Sequence, residues 1–162
     1  MQLKKSILAF TFLFVAIGAF AQSANKKSIP PFDIELTNTK HLKAADLQKN
    51  VPVMLVYFSP TCEHCKEFTK SFLAHINDLG KIQIVMITYL PVKDVAAFEN
   101  EFALSKYPNV SAGSEGYSFT VQKFYSIKTF PFTALFNSKS VLNIFYRTVP
   151  SINALIEKVK KL

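Results

Sequence analysis

Two cysteines, Cys62 and Cys65, lie three positions apart in the stretch "FSPTCEHCKEF", and the chain has no others. Thiols at that spacing have three uses: a redox pair, half of a metal site, or a small structural staple. A staple across so few residues removes very little unfolded-state entropy, so stability is a poor reason for the pair. A metal reading adds His64 as a third soft ligand. Adjacent His64 and Cys65 do not easily both turn towards an ion held by Cys62, and a structural zinc site takes a fourth ligand. His75 is too far along the following segment to supply it, and His41 lies far upstream. Metal binding is the weaker rival, and a redox pair is the leading reading.

Redox chemistry needs the two sulfurs held at a particular junction. Ahead of them, "VPVMLVYFS" is a near-continuous β-branched and apolar run, the pattern of a strand buried on both faces. Behind them the period changes. Cys65, Phe68, Phe72, Ile76 and Leu79 form one helical stripe, and Gly80 follows as a stop. A strand ending at Ser59-Pro60 and a helix opening at Cys62 place that cysteine at the helix N-terminus. Free backbone N–H groups and the helix dipole favour a thiolate there, and in C-x-x-C motifs the first cysteine is the more acidic. Cys65, one turn later, faces inward and can attack a mixed disulfide on its neighbour. The spacer residues oppose each other: His64 stabilises a thiolate, whereas Glu63 disfavours it. The expected potential lies between thioredoxin and disulfide isomerase, roughly −270 to −180 mV.

The rest of the chain alternates strand and helix patterns. "FDIELTN" alternates as a short strand, "HLKAADLQKN" reads as a turn plus a short helix, and "KIQIVMITYL" is a second buried strand closed by Pro91. Asp94 is the expected N-cap of "VAAFENEFALSK". "YPNVSAGSEGYS", with a proline and two glycines, reads as a mobile loop, and "FTVQKFYSIK" as a helix or helical turn. "FTALFN" and "LNIFYRTV" form two strands about the turn "NSKS", and Ser151 caps an amphipathic helix in "INALIEKVKKL". The expected fold class is α/β, a mixed central sheet flanked by helices on both faces.

Residues 1–21 have Lys4 and Lys5, an apolar stretch from Ile7 to Phe20, and Ala19-Phe20-Ala21 at the end, the layout of a secretory signal peptide. Those fourteen residues, apolar but for Thr11, rise only about 21 Å as a helix, short of the roughly 30 Å hydrocarbon core, and a retained anchor is the rival reading. Residues 22–30 read as a linker and 31–162 as one domain, placed in the periplasm or outside the cell after cleavage. Disulfides persist there. The formal charge of +8 falls to +6 when Lys4 and Lys5 leave. Arg147 is the only arginine and the lysines are scattered, so the dense basic stripe of a nucleic-acid binder is missing.

Two stretches together are more specific than C-x-x-C alone. "VPVMLVYFSPTCEHC" resembles the strand-then-motif signature of the thioredoxin fold, and "KFYSIKTFPFTALFN" resembles its helix, cis-proline and strand. The lead-in "FDIELTNTKHLKAADLQKNVP" is similar to that of TlpA/ResA-type exported thiol–disulfide oxidoreductases. The resemblance implies that Cys62 is the exposed nucleophile and Cys65 the resolving thiol. It also implies a cis Pro131 facing them and a Phe130 backbone that pairs with substrate. It implies partners among cysteine-containing envelope proteins, a membrane electron donor as one source of reducing equivalents, a role in cell redox homeostasis, and no bound cofactor. The chain departs from the pattern at three positions: Thr61 stands where most relatives have Trp, Val56 where an acid often sits, and Phe130 where Thr or Val is usual. A peroxidase would need a lone cysteine activated by arginine. The main competing class is a redox-silent or sensor-type binding or folding factor on the same fold.

Overall fold

The structure, a computed structural model, describes residues 27–162. The expected signal segment and the start of the linker lie outside the described residues. Among the described residues seven strands form one sheet: β1 (Asp33–Leu36), β2 (His41–Lys43), β3 (Val53–Tyr57), β4 (Gln83–Thr88), β5 (Val110–Ser114), β6 (Phe132–Phe136) and β7 (Leu142–Tyr146). Their spatial order is β2-β1-β5-β4-β3-β6-β7, with β3, β4 and β5 mutually parallel and the remaining neighbours antiparallel. The helices among the described residues that pack on it are α1 (Glu63–Ala74), α2 (Val92–Phe102), α3 (Thr120–Tyr125) and α4 (Ile152–Val159). The mixed α/β sheet with helices on both faces is the architecture expected from the sequence.

The buried runs show why it forms. All five residues of β3 are buried, and they alternate between two cores. Met54, Val56 and Phe58 join α1, α2 and α4 on one face, while Val53, Leu55 and Tyr57 join α3 on the other. That two-sided burial is why the run is apolar at every position rather than at every second one. On α1 the helical stripe supplies Cys65, Phe68 and Phe72 to the first core, with Phe68 and Phe72 ring to ring at 5.5 Å. Ser151 caps α4 as expected, its Oγ accepting from the Ala154 N–H at 3.3 Å.

Four sequence expectations need correction. The segment "YPNVSAGSEGYS" contains β5, a strand between β1 and β4 near the middle of the sheet. Its Ser, Ala and Gly have low strand propensity, and pairing on both sides overrides that weakness. Gly113 is required there, because a Cβ would stand 2.8 Å from the Glu35 carbonyl oxygen. His41–Lys43 is an edge strand followed by a single 3-10 turn at Ala44–Asp46, where a turn and helix were expected. Asp94 does not cap α2; the helix opens at Val92 with Pro91 at the cap position, and Asp94 lies in its first turn. α1 ends at Ala74 and continues as hydrogen-bonded turns to Gly80, whose φ of +63° reverses the chain. Among the described residues no helix is long and apolar enough to cross a membrane.

Candidate functional site

β3 runs straight into the site. After Tyr57 the chain buries Phe58 completely, bends through Ser59 and Pro60, and enters α1 with Cys62 as its N-cap. The Cys62 N–H donates to the Ser59 carbonyl at 3.0 Å, and the Cys62 carbonyl accepts from Cys65 and Lys66, both at 3.0 Å. Backbone bonds of the first helical turn therefore fix the positions of both cysteines. Both are free thiols, Cys62 partly exposed and Cys65 only 1 % exposed. Burial pushes the Cys65 thiol up to about 12 from 9.0, and the neighbouring Cys62 adds to the rise. One sulfur meets solvent and the other is held protonated behind it.

The opposing wall comes from the start of β6. The Phe130–Pro131 peptide is cis, Pro131 is buried, and the Phe130 carbonyl lies 3.9 Å from the Cys62 Sγ. Phe130 packs against both cores at once. This loop follows α3, whose C-terminal carbonyls are closed by Arg147. The guanidinium donates to the Tyr125 carbonyl at 3.0 Å and to that of Ser126 at 3.3 Å, and it stacks over Phe132 and Phe145. The one arginine is thus committed to shaping the proline loop, and it does not sit on either sulfur.

Glu63 and His64 occupy the first turn of α1 and are both exposed. His64 pairs with Glu67 at 3.7 Å, while Lys66 reaches Glu101 on α2 at 2.9 Å. His75 caps the end of α1 and pairs with Asp78, far from the thiols. Among the described residues, no three His, Cys, Asp or Glu side chains stand close enough together to hold a metal ion.

Sequence reasoning missed Glu115, which ties the two walls together. Its carboxylate is 6 % exposed and accepts from the Tyr57 hydroxyl at 2.6 Å and from the Val121 N–H in the first turn of α3 at 2.8 Å. Burial, then the hydrogen bond to Glu115, raises the pKa of Tyr57. One carboxylate thereby joins the strand that feeds Cys62 to the helix that leads to Pro131. A signal was present: Glu115 is the only acid between Glu101 and Glu157.

No family model matches the chain, and no curated protein is detectably similar in sequence. Solved structures are similar in shape. A thiol-disulfide oxidoreductase from Bacteroides fragilis has 18 % identity and a TM-score of 0.68, covering 83 % of this chain and 98 % of its own. A secreted Mycobacterium tuberculosis disulfide oxidoreductase homologous to E. coli DsbE has 16 % identity and a TM-score of 0.67, covering 82 % and 96 %. A thiol peroxidase from Chromobacterium violaceum has 14 % identity and a TM-score of 0.70, covering 84 % and 85 %. Enzymes of different thiol chemistries share this architecture, and the sheet order, the strand-to-helix cysteine pair and the cis-proline loop identify the chain as one with the thioredoxin-like fold.

Proposed function

We propose that the protein is an exported thiol–disulfide oxidoreductase acting on cysteines of other envelope proteins. The observation that carries this reading is the pairing of a part-exposed Cys62, 3.9 Å from the Phe130 carbonyl, with a buried Cys65 one turn behind it. In the reducing direction, the Cys62 thiolate attacks a substrate disulfide. A Cys62–substrate disulfide forms and one substrate thiol leaves. Cys65 then gives up its proton and attacks the Cys62 sulfur, releasing the second substrate thiol and leaving a Cys62–Cys65 disulfide. Two electrons move to the substrate, and a redox partner, such as a membrane electron donor, returns them. The oxidising direction runs the same steps in reverse.

Glu63 and His64 are the proposed tuning residues, both one helical turn or less from the reactive sulfur. Phe130 supplies a backbone carbonyl beside Cys62, where it accepts from the thiol at 3.9 Å, and an extended substrate can pair against that backbone while Pro131 holds the strand in place. Turnover calls for no bound cofactor. Residues 1–21 are the proposed signal peptide, with action in the periplasm or outside the cell. The two-cysteine arrangement favours this reading over a peroxidase, because the only arginine is engaged at α3.

Insulin reduction and refolding of reduced RNase, run on wild type and Cys62→Ser, test the proposal. Wild type is expected to accelerate at least one of the two, and Cys62→Ser neither. Equal behaviour of the two proteins would leave a binding or folding factor in its place. The equilibrium potential of the purified pair then sets the direction of electron flow.

A further inference from the structure

Beside Cys62, four aromatic rings contact one another in succession, from Phe130 to an exposed tyrosine. Tyr89, just beyond β4, lies 6.3 Å from the Phe130 ring. Phe119 lies 5.6 Å from Tyr89, and Tyr117 lies 6.2 Å from Phe119. The first three are half-buried, whereas Tyr117 is 89 % exposed; among the described residues the next most exposed large apolar side chain reaches 45 %. A tyrosine so exposed contributes nothing to the core. Phe119 adds a second observation. It has φ 49° and ψ 34°, the left-handed region that bulky residues avoid. Strain of that kind persists where the surroundings hold it and clusters at ligand clamps. The Phe119 ring contacts those of Tyr89 and Tyr117 and carries Lys123 Nζ 5.5 Å from its centroid.

The spacing suggests an occupant. Successive rings are 5.6–6.3 Å apart, and side chains on one face of an extended strand recur about every 6.7 Å. The other flank of Cys62 offers Thr61, a small polar residue, and the chain contains no tryptophan. Ring contacts thus connect Phe130, beside the reactive sulfur, to the exposed Tyr117, with Lys123 Nζ 5.5 Å from the Phe119 ring centroid. We propose that this row is a docking track for an extended substrate segment with large apolar or aromatic side chains at the second and fourth positions from its cysteine. The inference rests on the redox reading above and names the substrate class of that same site. An extended segment paired to the Phe130 backbone lays its alternate side chains on the rings and turns the others to solvent. The terminal ring, Tyr117, extends the track into solvent, where it presents a flat amphipathic contact.

The test uses two disulfide-linked peptide dimers of identical composition in a serine background. One has Phe two and four residues from its cysteine on both sides; the other has Phe at one and three. Pre-reduced full-length protein cleaves a dimer to two peptide thiols while its own pair is oxidised to the disulfide, and no other reductant is present. Wild type is expected to cleave the first dimer about tenfold faster, the effect of one well-seated aromatic anchor. Tyr117→Ala and Phe119→Ala are each expected to pull that ratio towards one. A wild-type ratio near one, or a ratio that survives Tyr117→Ala, overturns the proposal.

Failure of the redox reading shows separately, as cleavage of neither dimer. Docking is then read by titrating the corresponding serine-for-cysteine peptides into Cys62→Ser protein and following the Tyr117 ring resonances. Saturable shifts with the first peptide alone sustain the track; shifts with neither or with both overturn it.

Discussion

Where β3, β4 and β5 end, the part-exposed Cys62 and half-buried Tyr89 stand above the buried Glu115. Where the same strands begin, Leu47, Val51, Ile82, Pro108 and Asn109 line a cavity of about 500 Å³. That cavity is large enough for a small ligand, but its lining holds neither a cysteine nor a histidine. The contrast shows that volume and chemistry are separated in this molecule. On the proposed reading, reaching a sulfur of another protein calls for an accessible thiol, which the part-exposed Cys62 provides. The contrast also follows the general behaviour of open α/β sheets, which present functional groups beyond the carboxyl ends of their strands.

The largest expected effects lie at the first end. Cys62→Ser is expected to abolish exchange, while Cys65→Ser stops at a covalent Cys62–substrate adduct that persists on a non-reducing gel and dissolves in excess thiol. Activity in Cys62→Ser would place the chemistry elsewhere and erase the distinction between the two ends. Glu115→Ala comes next. It leaves the Tyr57 hydroxyl and the Val121 N–H unpaired in a buried site, an expected cost of about 1–3 kcal/mol in urea unfolding. Turnover should fall as well, because β3 and α3 lose their common anchor. Glu115→Gln retains an acceptor and is expected to recover most of the stability. If Glu115→Ala unfolds like wild type, the carboxylate does not join the two walls.

A third measurement concerns pH. Burial holds the Cys65 thiol up to about 12, above its unfolded value of 9.0. A group raised on folding stabilises fully below the unfolded value and loses that contribution as pH climbs towards the folded one. Reduced wild type should therefore lose stability between about pH 9 and 12 relative to Cys65→Ala, which removes this titration and keeps those of Tyr57 and Tyr125. At pH 8, iodoacetamide should modify Cys62 and spare Cys65. Equal labelling of the two would remove the asymmetry on which the resolving step rests.

The smallest effect is expected at the other end of the sheet. Gln83 lines the cavity and ties Gln48 and Val51 to β4 through three hydrogen bonds of 2.7–3.4 Å. Gln83→Ala should lower Tm by about 3–6 °C, the cost of roughly one net hydrogen bond in a domain of this size, with exchange rates unchanged. A large loss of activity there would mean that the two ends are coupled.

The sequence alone determined those features whose cause is local. Apolar residues at every position of Val53–Phe58 announce a strand with a core on each side, the stripe from Cys65 to Phe72 announces a helix face, and Ser151 announces a helix start. The cysteine pair at the meeting of the first two is therefore visible without coordinates, as is the likeness of "TFPFTALFN" to a proline loop. Tertiary structure decided the rest. β5 has little propensity of its own and is a strand because β1 and β4 offer it hydrogen bonds on both edges, with Gly113 fitting where no side chain could. Once β5 exists, Glu115 is carried inside and finds Tyr57, 58 residues earlier in the chain. Tyr89, Phe119 and Tyr117 come into ring contact because the end of β4 meets the segment that follows β5. Local periodicity reports what each segment buries, whereas the pairing of distant segments depends on which edges and surfaces remain once the sheet has closed.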